Sequence, residues 1–159
     1  MALEHRIILA KVDDSNMLTD IAFYTDILDN SLQKNCSILL EMCVADSIVA
    51  YFADYLSWVP AKNYQDKSYT YGINRCGITI YDYESKDKLA AILNSIRSLF
   101  ENAPNSITLH GEPYSKDDTA IYIEEIKVDK ELFLKAIDQI IVSVSKLNES
   151  GYYLVHLGV

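Results

Sequence analysis

The segments of the last 80 residues alternate between strand-like and helix-like patterns, and this order limits the fold more than any other feature of the sequence. β-branched and aromatic residues predict a strand at residues 78–83. Apolar residues at helical spacing then predict a helix at residues 86–101, with Ser85 as its N-cap. The remaining predictions are strands at residues 106–111 and 120–128, a helix that Asp129 caps and that runs through Leu147, and a strand at residues 152–159.

This β-α-β-β-α-β order resembles the ferredoxin-like fold, in which two helices cover one face of a sheet. The resemblance concerns topology alone and implies no functional residue. One detail conflicts with it. A strand-like segment at residues 69–73 and a turn at residues 74–77 would place a hairpin partner beside the strand at residues 78–83, which already has two neighbours in a ferredoxin-like sheet. Either this connection is looser than a hairpin, or the sheet order differs from the standard one.

The N-terminal half is less regular. Residues 5–12 could form a strand, residues 15–29 have helical spacing, and residues 37–44 fit a strand or a helix. A helix is predicted at residues 46–58, ended by Pro60, with Ile48, Tyr51, Phe52, Tyr55 and Val59 inward. No segment has the composition of a linker. We therefore predict one α+β domain over residues 1–159, with a mostly helical part at 1–75 and a βαββαβ part at 76–159.

Side chains alternate along a strand, so each predicted strand can be divided into two faces. We expect the aliphatic face to lie under the two helices; it includes Ile78, Ile80, Ile107, Leu109, Ile121, Ile123, Tyr153, Val155 and Leu157. The other face carries Tyr81, Tyr83, Tyr122, Tyr152, Leu154, His110, His156, Glu112 and Glu124. The alternation changes phase at Glu124 and Glu125, which predicts a β-bulge there.

The chain contains 12 tyrosines and four phenylalanines. Because a phenolic hydroxyl needs a polar partner, this ratio favours sheet edges and surfaces over a closed core. Two interpretations of the tyrosine-rich face stay open. Either the N-terminal half covers it, or it is partly open and contacts another protein, since tyrosine is enriched at interfaces.

Acidic residues dominate the segment between Val12 and Ala61, which holds eight carboxylates and one basic residue, Lys34. The whole chain has a net charge of −9 and no cluster of Lys and Arg. A negative field of this kind repels nucleic acids and anionic membranes and attracts cationic surfaces. No apolar run approaches the roughly 20 residues that a membrane-spanning helix needs. Three cysteines without metal-type spacing predict free thiols and a cytoplasmic location.

In being small, acidic, rich in tyrosine and free of catalytic motifs, the chain resembles bacterial toxin-immunity proteins. That class implies a non-enzymatic protein that binds and neutralises a basic partner, with carboxylates facing cationic side chains and tyrosines as anchors. The predicted partner contacts are Asp20, Asp26, Asp29, Asp46, Asp54, Tyr51, Tyr55, Tyr81 and Tyr83. No catalytic, cofactor-binding or metal-binding residue is predicted.

Two alternative functions stay open at this point. His110 and Glu112 lie two positions apart on one predicted strand face, a spacing that suits acid–base chemistry. The chain could then be an enzyme or a small-molecule-binding protein. Alternatively, the tyrosine-rich face could join two copies of the chain in a homodimer.

Overall fold

The computed structural model describes residues 4–12, 36–63, 68–117 and 120–158. These residues form an α+β structure with eight strands and three helices. The strands are β1 (Glu4–Val12), β2 (Cys36–Ala45), β3 (Pro60–Lys62), β4 (Tyr69–Tyr71), β5 (Ile78–Tyr81), β6 (Ser106–Asp117), β7 (Ala120–Asp129) and β8 (Tyr152–Leu157). The helices are α1 (Asp46–Leu56), α2 (Tyr83–Glu101) and α3 (Lys130–Ser145), and a 3₁₀ turn (Lys146–Asn148) follows α3.

Strands from both halves of the chain form one antiparallel sheet. Its order is β2-β1-β8-β5-β3-β4. The C-terminal strand β8 lies between β1 and β5, and it pairs with β1 over six residues of each strand, Arg6 to Lys11 opposite Leu157 to Tyr152. The termini of the described chain are therefore held together in the middle of the sheet.

The strands β6 and β7 pair with each other in a second, two-stranded sheet. The predicted order of elements over residues 78–157 is observed, but its four strands do not form the single sheet of a ferredoxin-like fold. The reason lies in the N-terminal half. β1 occupies the free edge of β8, and β3 pairs with β5 through Lys62 and Ile80, so no edge is left for the hairpin. The sheet order thus differs from the standard one, which was one of the two expected solutions.

Side-chain caps fix the first residues of α2 and α3. Asp82 is the N-cap of α2: its Oδ1 accepts a hydrogen bond from the Glu84 N–H at 3.1 Å, and Ser85 Oγ accepts one from the Asp82 N–H at 3.2 Å. The helix therefore begins at Tyr83, earlier than the sequence predicts, and β5 is shorter. Asp129 accepts a hydrogen bond from the Leu132 N–H at 2.9 Å, which confirms its predicted role as a cap.

Both faces of the six-stranded sheet carry buried apolar residues. The helix-side core contains Leu9, Tyr81 and Leu154 together with Leu89, Leu93, Ile96, Ile137 and Val144 of the helices. The opposite-side core contains Ile8, Ala10, Val12, Ile80, Val155 and Leu157. The expected assignment of faces was wrong for β5 and β8, since Tyr81 and Leu154 face the helices. Alternation sorts residues into two sets, but it does not show which set meets the helices when both faces are buried.

The β6–β7 hairpin is buried at one end only. Ile107, Ile126 and Val128 pack in the helix-side core as predicted, whereas Ile121 and Ile123 are exposed. The predicted β-bulge is present, but the extra residue lies on β6. His110 pairs with Glu125 and Pro113 with Ile123, so residues 111 and 112 together oppose Glu124.

In the described part of residues 1–75, strands predominate over helix. The ambiguous segment at residues 37–44 belongs to the strand β2, which bulges at Leu39. The expected mostly helical N-terminal part is therefore not seen in the described residues, which contribute β1 to β4 and α1. The helix predicted at residues 15–29 lies outside them.

Candidate partner-binding surface on helix α1

Helix α1 is held in one orientation by Val49 and Phe52, its two buried residues. The Phe52 ring lies 5.7 Å from the ring of Phe100 and 5.9 Å from that of Phe133, measured between centroids. Aromatic clusters of this kind contribute packing energy beyond their buried area. They direct the opposite face of the helix towards solvent.

An exposed aromatic row runs along the outer side of this helix. We use "α1 aromatic row" for Tyr51, Tyr55 and Trp58, whose exposed fractions are 39%, 47% and 59%. Tyr51 and Tyr55 are four residues apart, so they lie on adjacent turns of one helix face. Trp58 follows in the turn after the helix, and its ring meets that of Tyr55 edge-on at 5.7 Å between centroids. The two tyrosines therefore point outward, contrary to the inward orientation expected from their spacing.

Asp54 is the acidic residue next in sequence to Tyr55 of this row, and it is exposed on the same helix. Tyr71 on β4, directly opposite Pro60, is also exposed. The surface on α1 and its following turn therefore combines three rings with a carboxylate.

Asp46, another predicted contact residue, has intramolecular partners at the start of α1. Its Oδ1 accepts a hydrogen bond from His5 Nε2 at 2.8 Å, and both carboxylate oxygens lie 3.1 Å from Arg75 Nη2. The hydrogen bond from His5 lowers the pKa of the Asp46 carboxyl, and Arg75 adds to this effect against the opposing effect of burial. Asp46 therefore fastens α1 to β1 and to the turn before β5.

His5 is fully buried and contacts a second buried histidine. Its Nδ1 lies 2.6 Å from Nε2 of His156 on β8, and the two rings stack at 4.9 Å between centroids. Burial and, to a smaller extent, the adjacent His5 together lower the pKa of His156 from the ordinary 6.5 to about 3. A chain of polar contacts thus runs from Arg75 through Asp46 and His5 to His156.

The other predicted contacts are dispersed. Tyr81 is 3% exposed in the helix-side core, and burial raises the pKa of its hydroxyl. Its ring is therefore not available at the surface. Tyr83 is exposed on the first turn of α2 and is separate from the α1 aromatic row. Asp20, Asp26 and Asp29 lie outside the described residues.

The tyrosine-rich sheet face is not a single open surface. Tyr81 and His156 are buried, Tyr152 is half-buried, and Tyr122 is exposed on the hairpin.

His110, the proposed acid–base residue of the alternative function, is exposed on β6, and the side chain of Glu112 lies outside the described residues. The acid–base alternative at these two residues therefore stays a prediction.

Sequence reasoning missed Trp58 and His5. Trp58 is the only tryptophan of the chain, and tryptophan is enriched among residues that dominate binding energy. The position of Trp58 at the end of the predicted helix, just before Val59 and Pro60, could have identified it as a candidate contact residue. Nothing in the local sequence around His5 indicates its contact with a residue 151 positions away.

Comparisons with known proteins identify no relative. No family model matches the chain, and no curated protein or solved structure is significantly similar to it.

Within the described residues, no three histidine, cysteine or carboxylate side chains are grouped to hold a metal ion. The described helices are also too short or too polar to cross a bilayer.

Proposed function

We propose that this protein is a non-enzymatic binding protein that recognises a basic protein partner through the α1 aromatic row. The observation that carries this proposal is the exposure of Tyr51, Tyr55 and Trp58 on one side of a helix whose other side is fixed in the core. Large aromatic side chains that stay exposed on a rigid element are the usual anchors of protein interfaces. Tyrosine and tryptophan also lose little conformational entropy on binding.

Charge favours a cationic partner. The chain carries a net charge of −9, and Asp54 lies within the aromatic row. Among the described residues Asp54 has no ion pair, whereas Asp46 is paired with His5 and Arg75, and Glu41 with Arg6. Asp54 is therefore the described carboxylate best placed to meet a Lys or Arg of a partner, and the overall field would accelerate their encounter.

The most concrete form of this proposal is a cytoplasmic immunity protein that inhibits a bacterial toxin. Its mechanism is occlusion. The aromatic row fills the centre of the interface, and the carboxylates pair with cationic side chains that the toxin uses to hold an anionic substrate. Neutralisation of this kind needs no catalytic group in the inhibitor.

The proposal is tested by capturing the partner with matched variants. Immobilised wild-type protein, a Tyr55→Ala/Trp58→Ala double variant and Leu99→Ala are incubated with extract of the native host. Leu99 is the control because it is an apolar residue, 69% exposed, on the separate helix α2. We expect a basic protein to bind the wild type and Leu99→Ala and to be lost from the double variant.

Three outcomes contradict the proposal: no specific protein is retained, the retained protein is acidic, or the double variant retains it as well as the wild type does. The immunity function has its own test. When the captured protein is expressed in a bacterial host, co-expression of the wild type should restore growth and co-expression of the double variant should not. Sedimentation of the purified protein at two concentrations tests self-association. If the aromatic row joined two copies of the chain, the wild type would dimerise without any second protein and the double variant would stay monomeric.

A further inference from the structure

An apolar cavity lies between the six-stranded sheet and the helices. Its volume is about 440 Å³, which falls in the range of about 300–1,000 Å³ that is usual for ligand sites. Every helix contributes to its walls, for example through Val49 and Phe52 of α1, Leu93 of α2, and Ala136 and Ile140 of α3. The sheet contributes Ile7, Leu154, Tyr81 and His156. It is separate from the exposed α1 aromatic row.

Two of these lining residues carry a polar atom that lacks a partner. Tyr81 Oη and His156 Nδ1 are buried and have no hydrogen-bond partner in the described part of the chain. Leaving such an atom unpaired costs about 1–3 kcal/mol. A phenylalanine and a leucine would fill a purely structural core without this cost. Both atoms have almost no accessible surface, so a ligand would pair with either one only after its side chain turns towards the cavity.

The polar contacts at the other end of His156 define what its free nitrogen can do. The ionised Asp46 only accepts, so Nε2 of His5 carries a proton. The short contact between His5 Nδ1 and His156 Nε2 needs one proton between the two nitrogens. The other nitrogen of His156, Nδ1, accepts a hydrogen bond when Nε2 is the donor and donates one when Nε2 is the acceptor. Tyr81 can donate or accept.

The charged residues of the cavity wall balance each other. Lys127 and Asp129 are both exposed and line its β7 side, one with each sign. The interior is otherwise almost wholly apolar, and a charge buried there, away from these two exposed side chains, would lose its hydration. The cavity therefore suits an uncharged molecule.

We propose that this cavity binds a neutral, largely apolar small molecule with one hydroxyl or N–H group, which pairs with Tyr81 or His156. A medium-chain aliphatic alcohol has this chemistry. A fatty-acid carboxylate does not, because its charge would be buried in the apolar interior. The inference is independent of the partner-binding surface, which lies on the outer side of α1.

The test uses two fluorescent probes that differ by one charged group. N-phenyl-1-naphthylamine is neutral with one N–H, and 8-anilino-1-naphthalenesulfonate is the same skeleton with an added sulfonate. We expect the neutral probe to bind the purified protein at one site with enhanced fluorescence. The sulfonate probe should bind at least about tenfold more weakly. 1-Decanol should displace the neutral probe.

Two variants locate the site. Ala136→Leu places a larger side chain inside the cavity and should weaken binding about tenfold, whereas Leu99→Ala should leave it unchanged. Tyr81→Phe removes only the hydroxyl and should weaken binding several-fold. The proposal is overturned if the neutral probe fails to bind, if the sulfonate probe binds as tightly, or if Ala136→Leu binds like the wild type. Should Ala136→Leu fail to fold, the absence of displacement by 1-decanol would overturn it on the wild type alone.

Discussion

His5 and His156 stand at opposite ends of the sequence, and their ring nitrogens lie 2.6 Å apart inside the protein. Antiparallel pairing of β1 with β8 places them on the same face of the sheet, and Asp46 at the start of α1 completes the chain of contacts. The first strand, the last strand and the helix that carries the proposed binding surface are therefore joined by one continuous set of polar contacts.

The first prediction concerns stability in mild acid. His156 titrates near pH 3 in the folded protein and near pH 6.5 when unfolded, so the unfolded state binds more protons between these values. The free energy of unfolding should therefore decrease as the pH falls through this window, by about 2 kcal/mol at pH 5. Urea unfolding from pH 7.5 to pH 5 measures this, above the range in which most carboxylates titrate.

The matched variants for this measurement are His156→Gln and His110→Gln. The first should lose most of the pH dependence in this window, and the second should keep it because His110 is exposed on the hairpin. Equal pH dependence in both variants would assign the effect to another group.

The second prediction separates two aspartates of one helix. Asp46→Ala removes the acceptor of His5 and an ion-pair partner of Arg75, so we expect a loss of about 2 kcal/mol in the free energy of unfolding. Asp54→Ala should change it by no more than about 0.5 kcal/mol, because Asp54 is exposed. Chemical denaturation of both variants decides the matter; an equally large loss in Asp54→Ala would show that Asp54 is not free for a partner.

The third prediction concerns Asp82, which caps α2 and also holds the neighbouring strands. Its Oδ2 accepts hydrogen bonds from Tyr69 Oη at 2.8 Å and Lys62 Nζ at 3.1 Å. Asp82→Ala should therefore cost about 2 kcal/mol or more, the sum of a lost cap and unpaired neighbours. Asp87 of the same helix, whose side chain is fully solvated, is the control. A melting temperature of Asp82→Ala equal to that of Asp87→Ala would refute this role.

The C-terminal helices were predictable because their patterns are local. Asp129 caps α3 where the sequence places it, and the apolar spacing identifies Leu89, Leu93 and Ile96 as core residues. The sheet order was not predictable in the same way. It depends on β1 occupying the edge of β8, a long-range pairing that leaves no periodic trace in either strand.

The candidate site was predictable in part. The sequence nominates Tyr51, Tyr55 and Asp54, and the structure places all three on the exposed side of α1, where their role in binding stays a prediction. It also nominates Tyr81, which is buried. A tyrosine on an alternating strand gives no sign of which face it joins, because packing from both sides of the sheet decides this.

¹⁹F NMR of Trp58 tests the central claim most directly, since it is the only tryptophan of the chain and lies in the proposed interface. Trp58 is labelled as 5-fluorotryptophan, so that the ¹⁹F resonance reports this residue alone. The captured basic partner is then added to the labelled protein. We predict that its resonance shifts on binding and that its line broadening by a soluble paramagnetic quencher is strongly reduced. A partner that binds while Trp58 keeps its resonance and its full access to the quencher would contradict the account.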